Sequence, residues 1–428
     1  MEYRTFSIIA ATFHGNRGAQ AMLETVIGRL SEQQPGTRFH VYSYYPREDR
    51  RLVDDPRVTI HSSTPLALVA WLLPWSLLFG LLRRLLGSRV LPFAPAAIRG
   101  LAGSVALVDL AGVAFIDGRE KFLPFNALTI LPAWLIGTPV VKMPQATGPY
   151  RNRLNRLAAR VILPMCRMVW ARGPGTLAHL STARFPGVRF AQADDIAFNF
   201  REDWSLTSEG DGAMRRLLDR VEAVRATSRV RGIVGLCPSA VLAVQARKVG
   251  GTYESVLAAL IQRLAASGFL VVLFPNATRE SAGPAERNND LPVMRRLWAE
   301  CQQVDAPGPL MADFDLNAAE IKRLLAATDI VLVSRFHAMV GALSLGVPPV
   351  VLGWSHKYAE VMARFQLQDQ VMDHERLGLD ELHATVVRVF MERDRLRVRI
   401  REQLPAIREA ADRPVTALLT PSLGADLA

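Results

Sequence analysis

Short apolar runs rich in Val, Ile and Leu recur along the chain, separated by stretches in which apolar positions return every three or four residues. The first pattern suits strands buried on both faces, the second amphipathic helices. Residues 3–13 read as a first buried strand. A signal peptide does not fit there, because the apolar run is short, Glu2 precedes it and no small-residue cleavage site follows. A loop at 14–18 leads into a helix over 19–30, carried by Met22, Val26, Ile27 and Leu30. Further strands are predicted at 39–44, 105–110, 140–143 and 168–171, and then at 233–237, 271–274, 330–334 and 349–352. Helices are predicted at 255–267, 291–303 and 318–327. Strands alternating with helices imply parallel sheets covered on both faces. The expected architecture is α/β, with two Rossmann-like doubly wound domains facing each other across a cleft. The first occupies 1–200, a linker 201–228 and the second 229–412; a C-terminal helix over 379–411 gives way to a loose tail at 413–428.

One stretch departs from this pattern. Residues 62–82 carry no charge, and 66–82 reads LALVAWLLPWSLLFGLL before Arg83 and Arg84. Its length is at the lower edge of a bilayer span, and Pro74 and Gly80 interrupt it. Three readings stand: a spanning helix, a buried helical hairpin, and an interfacial segment over 62–86. The last sets Trp71 and Trp75 at the headgroup boundary with arginines on lipid phosphate, and it is the reading we favour.

Length and charge sharpen the picture. A chain of 428 residues, half of them hydrophobic, has ample core for two domains and is not disordered. Three well-separated cysteines without a CxxC pair exclude a disulfide framework and a structural zinc site, and suit a reducing compartment. The net charge is +11, and residues 83–172 hold thirteen Lys or Arg against three acids. The excess is therefore local. It points to phosphate ligands or anionic lipid; basic, aromatic-interleaved nucleic-acid surfaces are not evident.

Candidate chemistry gathers at predicted strand ends, where open α/β sheets bind ligands. The strand at 330–334 runs into Ser334-Arg335-Phe336-His337 and a helix start, which offers backbone N–H groups and a positive dipole end. Arg335 can fork onto phosphate or carboxylate, and His337 can move a proton near neutral pH. The next strand ends at Trp354, His356 and Lys357. In the first half the candidates are Gly15, Asn16 and Gly18 in a glycine loop, Asp109, Asp117 and Arg119 in VDLAGVAFIDGREK, Gln145 in MPQATGP, and Arg172. Asp194-Asp195 stands beside no recognisable phosphate loop, so no metal is assigned.

Taken together, GNRGAQAML (15–23), DLAGVAFIDG (109–118), PQATGPY (144–150), ARG (171–173), SRFHAMVGALSLGVP (334–348) and GWSHKY (353–358) resemble the polysaccharide pyruvyltransferase family. The chain departs from the family pattern at Gln20, at Leu110-Ala111-Gly112 and at Pro275-Asn276. The resemblance implies a GT-B-like fold. It also implies transfer of the enolpyruvyl carbons of phosphoenolpyruvate to two sugar hydroxyls, without a cofactor. Arg335 and His337 would contact phosphoenolpyruvate, with Lys357 close by. On chemical grounds His337 is the candidate acid for C3, and Asp117, Asp109 or His356 the candidate base. Phosphoenolpyruvate and a sugar acceptor, free or lipid-linked, are the expected partners, with peripheral contact to anionic membrane and no nucleic acid. The expected location is the cytoplasm, at the inner face of the cytoplasmic membrane. The competing readings are a GT-B glycosyltransferase using a nucleotide sugar and a non-catalytic membrane-surface scaffold.

Overall fold

The computed structural model describes residues 4–207, 212–227, 230–248, 250–279, 288–301, 308–353, 356–374 and 377–420. They form two compact units. One comprises Met1–His14, Met22–Phe200 and Arg408–Ala428; the other comprises Gly15–Ala21 and Arg201–Ile407.

The first unit is built on eight strands: β1 (Thr5–Ile9), β2 (Arg38–Ser43), β3 (Val58–Ser62), β4 (Leu107–Asp109), β5 (Val113–Ile116), β6 (Val140–Gly148), β7 (Met168–Arg172) and β8 (Phe190–Ala193). Their order is β3-β2-β1-β4-β6-β7-β8, with β5 beside β6, and every pairing is parallel. The order reverses between β1 and β4, a topological switch point. From β3 onward the chain advances in one direction across the sheet, so right-handed crossovers put the intervening helices on one face. These include Pro65–Leu86, Leu131–Ile136 and Arg153–Ile162. Leu72 and Phe79 of the first, Ile136 of the second and Ile162 of the third share one apolar cluster with Ile9, Leu107 and Val140 of the sheet.

Among the described residues the second unit has six parallel strands: β9 (Gly232–Cys237), β10 (Phe269–Leu273), β11 (Leu310–Met311), β12 (Ile330–Val333), β13 (Pro349–Gly353) and β14 (Val371–Asp373). Their order is β11-β10-β9-β12-β13-β14, and β9, β10 and β12 are buried throughout. The α/β class predicted from the apolar runs is therefore the observed one. Strands β3, β8 and β14 escaped the sequence reading because they are half-exposed and lack a continuous apolar run.

Several expected boundaries differ. Gly15–Ala21 clusters with the second unit, away from the first domain in which it was placed. The expected linker 201–228 also belongs to the second unit. It contains helix Ala213–Ala226, which buries Met214, Leu217 and Val221. The expected loose end from 413 is corrected as far as Leu419, because helix Arg393–Leu419 runs through it. Ala411, Val415 and Leu418 continue a buried stripe there, and Asp412 takes a two-bond ion pair from Arg29. Arg413-Pro414 had masked that stripe. Residues 421–428 lie outside the described residues.

The apolar segment is a continuous helix, Pro65–Leu86, which corrects the hairpin reading. Thr64 Oγ1 accepts Ala67 N–H at its start, and a π turn at Leu68–Leu72 precedes Pro74, which has no N–H to give. One face packs on the core: Leu72, Ser76 and Phe79 are buried, and a β-carbon on Gly80 would stand 2.3 Å from Leu135 O. The opposite face is exposed at Leu77, Leu81 and Leu85. By length and composition alone the helix could cross a membrane, with a mean hydropathy of 1.9 and 28% of its most apolar window buried.

Candidate functional site

In the second unit, β12 delivers Ser334 and Arg335 to its carboxyl end. Arg335 is the extended residue before helix Phe336–Leu345, and its side chain does not cap that helix. Its guanidinium turns to Asp290 instead, with Nε 3.0 Å from both carboxylate oxygens and Nη2 on Oδ1. Burial works against the charge on Arg335, but the adjacent Asp290 outweighs it and holds the group above its ordinary pKa.

Asp290 is fully buried, and the sequence reading missed it. It also accepts N–H groups from Ala240, Asn276 and Ala277. One carboxylate thus ties together the segments that follow β9, β10 and β12, three adjacent strands. Its local sequence, Asn-Asp-Leu-Pro before helix Leu291–Cys301, reads only as a helix start; nothing in it points to Arg335, 45 residues away.

Ser334, predicted to bind substrate, is buried. Its Oγ accepts from the Tyr253 hydroxyl at 2.9 Å, and its carbonyl accepts from Tyr358 at 3.1 Å. Tyr253 in turn accepts Ser239 N–H, and burial raises its pKa. These bonds fix the strand end that presents the next three residues. Phe336 is buried, with the Lys357 ammonium 4.9 Å from its ring centroid and Tyr358 edge-on at 5.6 Å. His337 is half-buried, with its ring edge-on to Phe336 at 5.3 Å. Arg335, Phe336, His337 and Lys357 are thus brought together. Trp354 lies outside the described residues; His356 opens helix His356–Arg364.

The glycine loop joins the same constellation. Gly15 O accepts Thr278 N–H, Asn16 bridges Ala277 in antiparallel fashion, and Arg17 N–H donates to Asn276 O. Gly18 packs on His337, where an added β-carbon would stand 2.0 Å from Nδ1. Asn16 Oδ1 caps the following helix through Gly18 and Ala19 N–H, and Gly15 takes a φ of +85°, a conformation glycine adopts freely. Arg17, also missed, is buried; it binds Asp315, the Thr278 hydroxyl and Gln20 Oε1. Gln20, noted from sequence only as a departure, also donates to Thr207 and accepts from Ala318 N–H.

The first-unit candidates lie at or near the carboxyl ends of β4 to β7, most of them tied into the framework. Asp109 forms a fully buried ion pair with Lys142 and accepts Ala111 N–H. Arg172 is paired with Asp195 at 2.8 Å, both buried, and donates to Gly112 O. Asp117 accepts Arg151 N–H, Asn152 N–H and Asn155 Nδ2, which pins the start of helix Arg153–Ile162. Gln145 is buried with Oε1 lacking a hydrogen-bond partner among the described residues, and Arg119 is exposed. No group of three or more potential metal ligands occurs among the described residues.

Two doubly wound α/β units carrying side-chain clusters at their strand ends define a protein of the GT-B-like class. Solved structures agree over nearly the whole chain. The S. aureus MnaA–UDP co-structure aligns with a TM-score of 0.58 at 10% identity, covering 98% of this chain and 97% of that one. UDP-GlcNAc 2-epimerase from Neisseria meningitidis bound to UDP-GlcNAc gives 0.52 at 13%, covering 97% and 99%. A UDP-forming α,α-trehalose-phosphate synthase from Burkholderia vietnamiensis gives 0.57 at 13%, covering 98% and 99%. At such identities the likeness is one of fold. A family model for polysaccharide pyruvyl transferase matches residues 16–356, and the chain belongs to that family of transferases.

Proposed function

We propose that the protein moves the enolpyruvyl group of phosphoenolpyruvate onto two hydroxyls of a sugar in a polysaccharide, glycolipid or lipid-linked precursor. The observation that carries this reading is the cluster at the ends of β12 and β13, where a half-buried His337 sits between the Gly18 backbone and the Phe336 ring, with Lys357 beside that ring.

Phosphoenolpyruvate brings a phosphate and a carboxylate. Lys357, the Arg335 fork held by Asp290, and the amino end of helix Phe336–Leu345 supply positive potential for them. His337 gives a proton to C3 as a sugar oxygen bonds to C2 and loses its own proton. The C2–O bond to phosphate then breaks, and inorganic phosphate leaves. The second hydroxyl bonds to C2 and releases its proton, closing the ketal. Positive potential near the departing phosphate lowers the barrier to that step. No cofactor takes part. The glycan gains one carboxylate.

Each first-unit carboxylate in line for the base role is engaged: Asp109 with Lys142, and Asp117 with three N–H donors. The base assignment therefore rests on the chemistry of the step alone. We place the protein at the inner face of the cytoplasmic membrane, where the exposed face of helix Pro65–Leu86 meets anionic lipid and brings the enzyme to a lipid-linked acceptor.

The test is phosphate release from phosphoenolpyruvate in the presence of simple or lipid-linked galactosides, with the ketal product identified by mass. Acceptor-dependent release supports the reading. No release with any acceptor, combined with tight binding of a nucleotide sugar, overturns it in favour of glycosyl transfer.

A further inference from the structure

We propose that the first unit docks on an anionic bilayer through two helices on one face of its sheet, Arg153–Ile162 as well as Pro65–Leu86. This rests on the membrane reading above and adds a second contact element to it.

Arg153–Ile162 reads RLNRLAARVI, and its burial is inverted for a surface helix. It turns Asn155 and Ala159 inward and leaves Leu154, Leu157 and Val161 exposed at 64%, 60% and 51%. These three fall at i, i+3 and i+7, one stripe of the helix. Its rotation is pinned, because Asn155 Nδ2 donates to Phe115 O and Asp117 while Asn152 Oδ1 caps Leu154 and Asn155 N–H. The leucines therefore face outward by construction.

The two helices cover the same core. Leu72 and Phe79 of one and Ala159 and Ile162 of the other belong to a single apolar cluster, so their outer faces lie on the same side of the sheet. The helices between them continue the exposed apolar surface. Leu131–Ile136 packs on Pro65–Leu86 and shows Trp134, and Leu123–Leu128 packs on Arg153–Ile162 just after the exposed Phe122.

Charge selects the occupant. Residues 62–108 and 121–193 contain no Asp or Glu. Arg84 and Arg89 follow the first apolar stripe, and Arg153, Arg156 and Arg160 flank the second; all five are exposed. Arg83 donates to Ile136 O beside a cavity of about 380 Å³ that is lined in part by Trp134, Arg167 and Arg189. A second copy packed on this face would set arginine against arginine. A bilayer with anionic headgroups matches both parts: leucines enter the acyl boundary, tryptophan sits at the headgroups, and arginines snorkel to phosphate.

The experiment is flotation of the full-length protein with vesicles of phosphatidylcholine, with or without phosphatidylglycerol, alongside sedimentation velocity. Wild type floats with the phosphatidylglycerol vesicles and binds pure phosphatidylcholine at least about tenfold more weakly. The exposed-site pairs L154Q/L157Q and L81Q/L85Q each lower binding about tenfold. Both keep wild-type phosphate release with a soluble galactoside. If only L81Q/L85Q loses binding, the second element is overturned and the membrane reading survives. If wild type binds no vesicle, both fall. A wild-type dimer that L154Q/L157Q converts to monomer, with vesicle binding unchanged, would assign the face to self-association and overturn the proposal.

Discussion

Gly18 packs so closely on the imidazole of His337 that a β-carbon would stand 2.0 Å from Nδ1. The residues that lead into the helix bearing Gly18 are held by backbone bonds to residues 276–278, so the glycine cannot retreat without breaking that strap and the side chain of His337 must give way. Gly18→Ala should therefore displace the histidine while the fold survives. We expect phosphate release to fall by about a hundredfold, in line with a misplaced catalytic group. A melting temperature near wild type with full activity would show that His337 sits elsewhere during turnover.

His337→Gln keeps the size of the side chain and removes its acid–base capacity. As the group that protonates C3, it should account for a factor of about 10² to 10⁴ in kcat. Single-turnover kinetics with phosphoenolpyruvate and acceptor read this directly. Retention of wild-type kcat would remove His337 from the chemistry.

Asp290 acts through Arg335 and is a positioning residue. Asp290→Asn keeps an acceptor but halves the anchorage, freeing the Arg335 fork to wander. The expected signature is a rise in KM for phosphoenolpyruvate of about tenfold or more, with a smaller effect on kcat. Asp290→Ala strands the half-buried Arg335 and three buried N–H groups, and should cost about 3 kcal/mol of stability. Equal losses in KM and stability for both variants would reduce Asp290 to a framework role.

Lys142 and Asp109 form an ion pair with at most 1% exposure, so removing one partner leaves a buried, uncompensated charge. Lys142→Met alone should destabilise the protein by about 3–5 kcal/mol. The double variant K142M/D109L should recover much of that loss, because both charges are gone. Denaturant melts of the two variants and of wild type decide it. A double variant as unstable as the single one would mean that the pair holds the fold by its hydrogen bonds.

Burial pushes Asp49 from 3.8 up to about 6, against the N–H groups of His14 and Phe13 and the Ser43 hydroxyl. Between those two values the folded chain keeps a proton that the unfolded chain releases, so stability falls as pH rises through that window. The full shift corresponds to about 3 kcal/mol. Asp49→Asn keeps an acceptor for His14 N–H without the titration. Relative to wild type, the variant should gain melting temperature on going from about pH 5 to about pH 8. An unchanged difference would place the Asp49 pKa near its ordinary value.

The class of fold was legible because strands β9, β10, β12 and β13 are nearly continuous apolar runs, a pattern that depends only on the local chain. The string from Ser334 to His337 was legible for the same reason: a buried strand ends, a helix begins, and the residues between are polar. Partners far apart in sequence were not. Asp290 gave no sign of its attachment to Arg335, and Lys142 gave none of its attachment to Asp109 across neighbouring strands. Asp117 was legible only as a candidate base after a strand; its bonds to the N–H groups of residues 151–152 were not.

Hydrophobic periodicity and local order of residue types were thus determined by the sequence alone: two α/β halves, an apolar segment, a basic stretch and a Ser-Arg-Phe-His strand end. Tertiary structure decided which charges remain available. Pairing and burial depend on which strands become neighbours, a property of the whole sheet order. The same packing decided that the glycine loop belongs beside His337. It also turned the leucines of Arg153–Ile162 outward, since the anchored Asn155 already occupies the inner face.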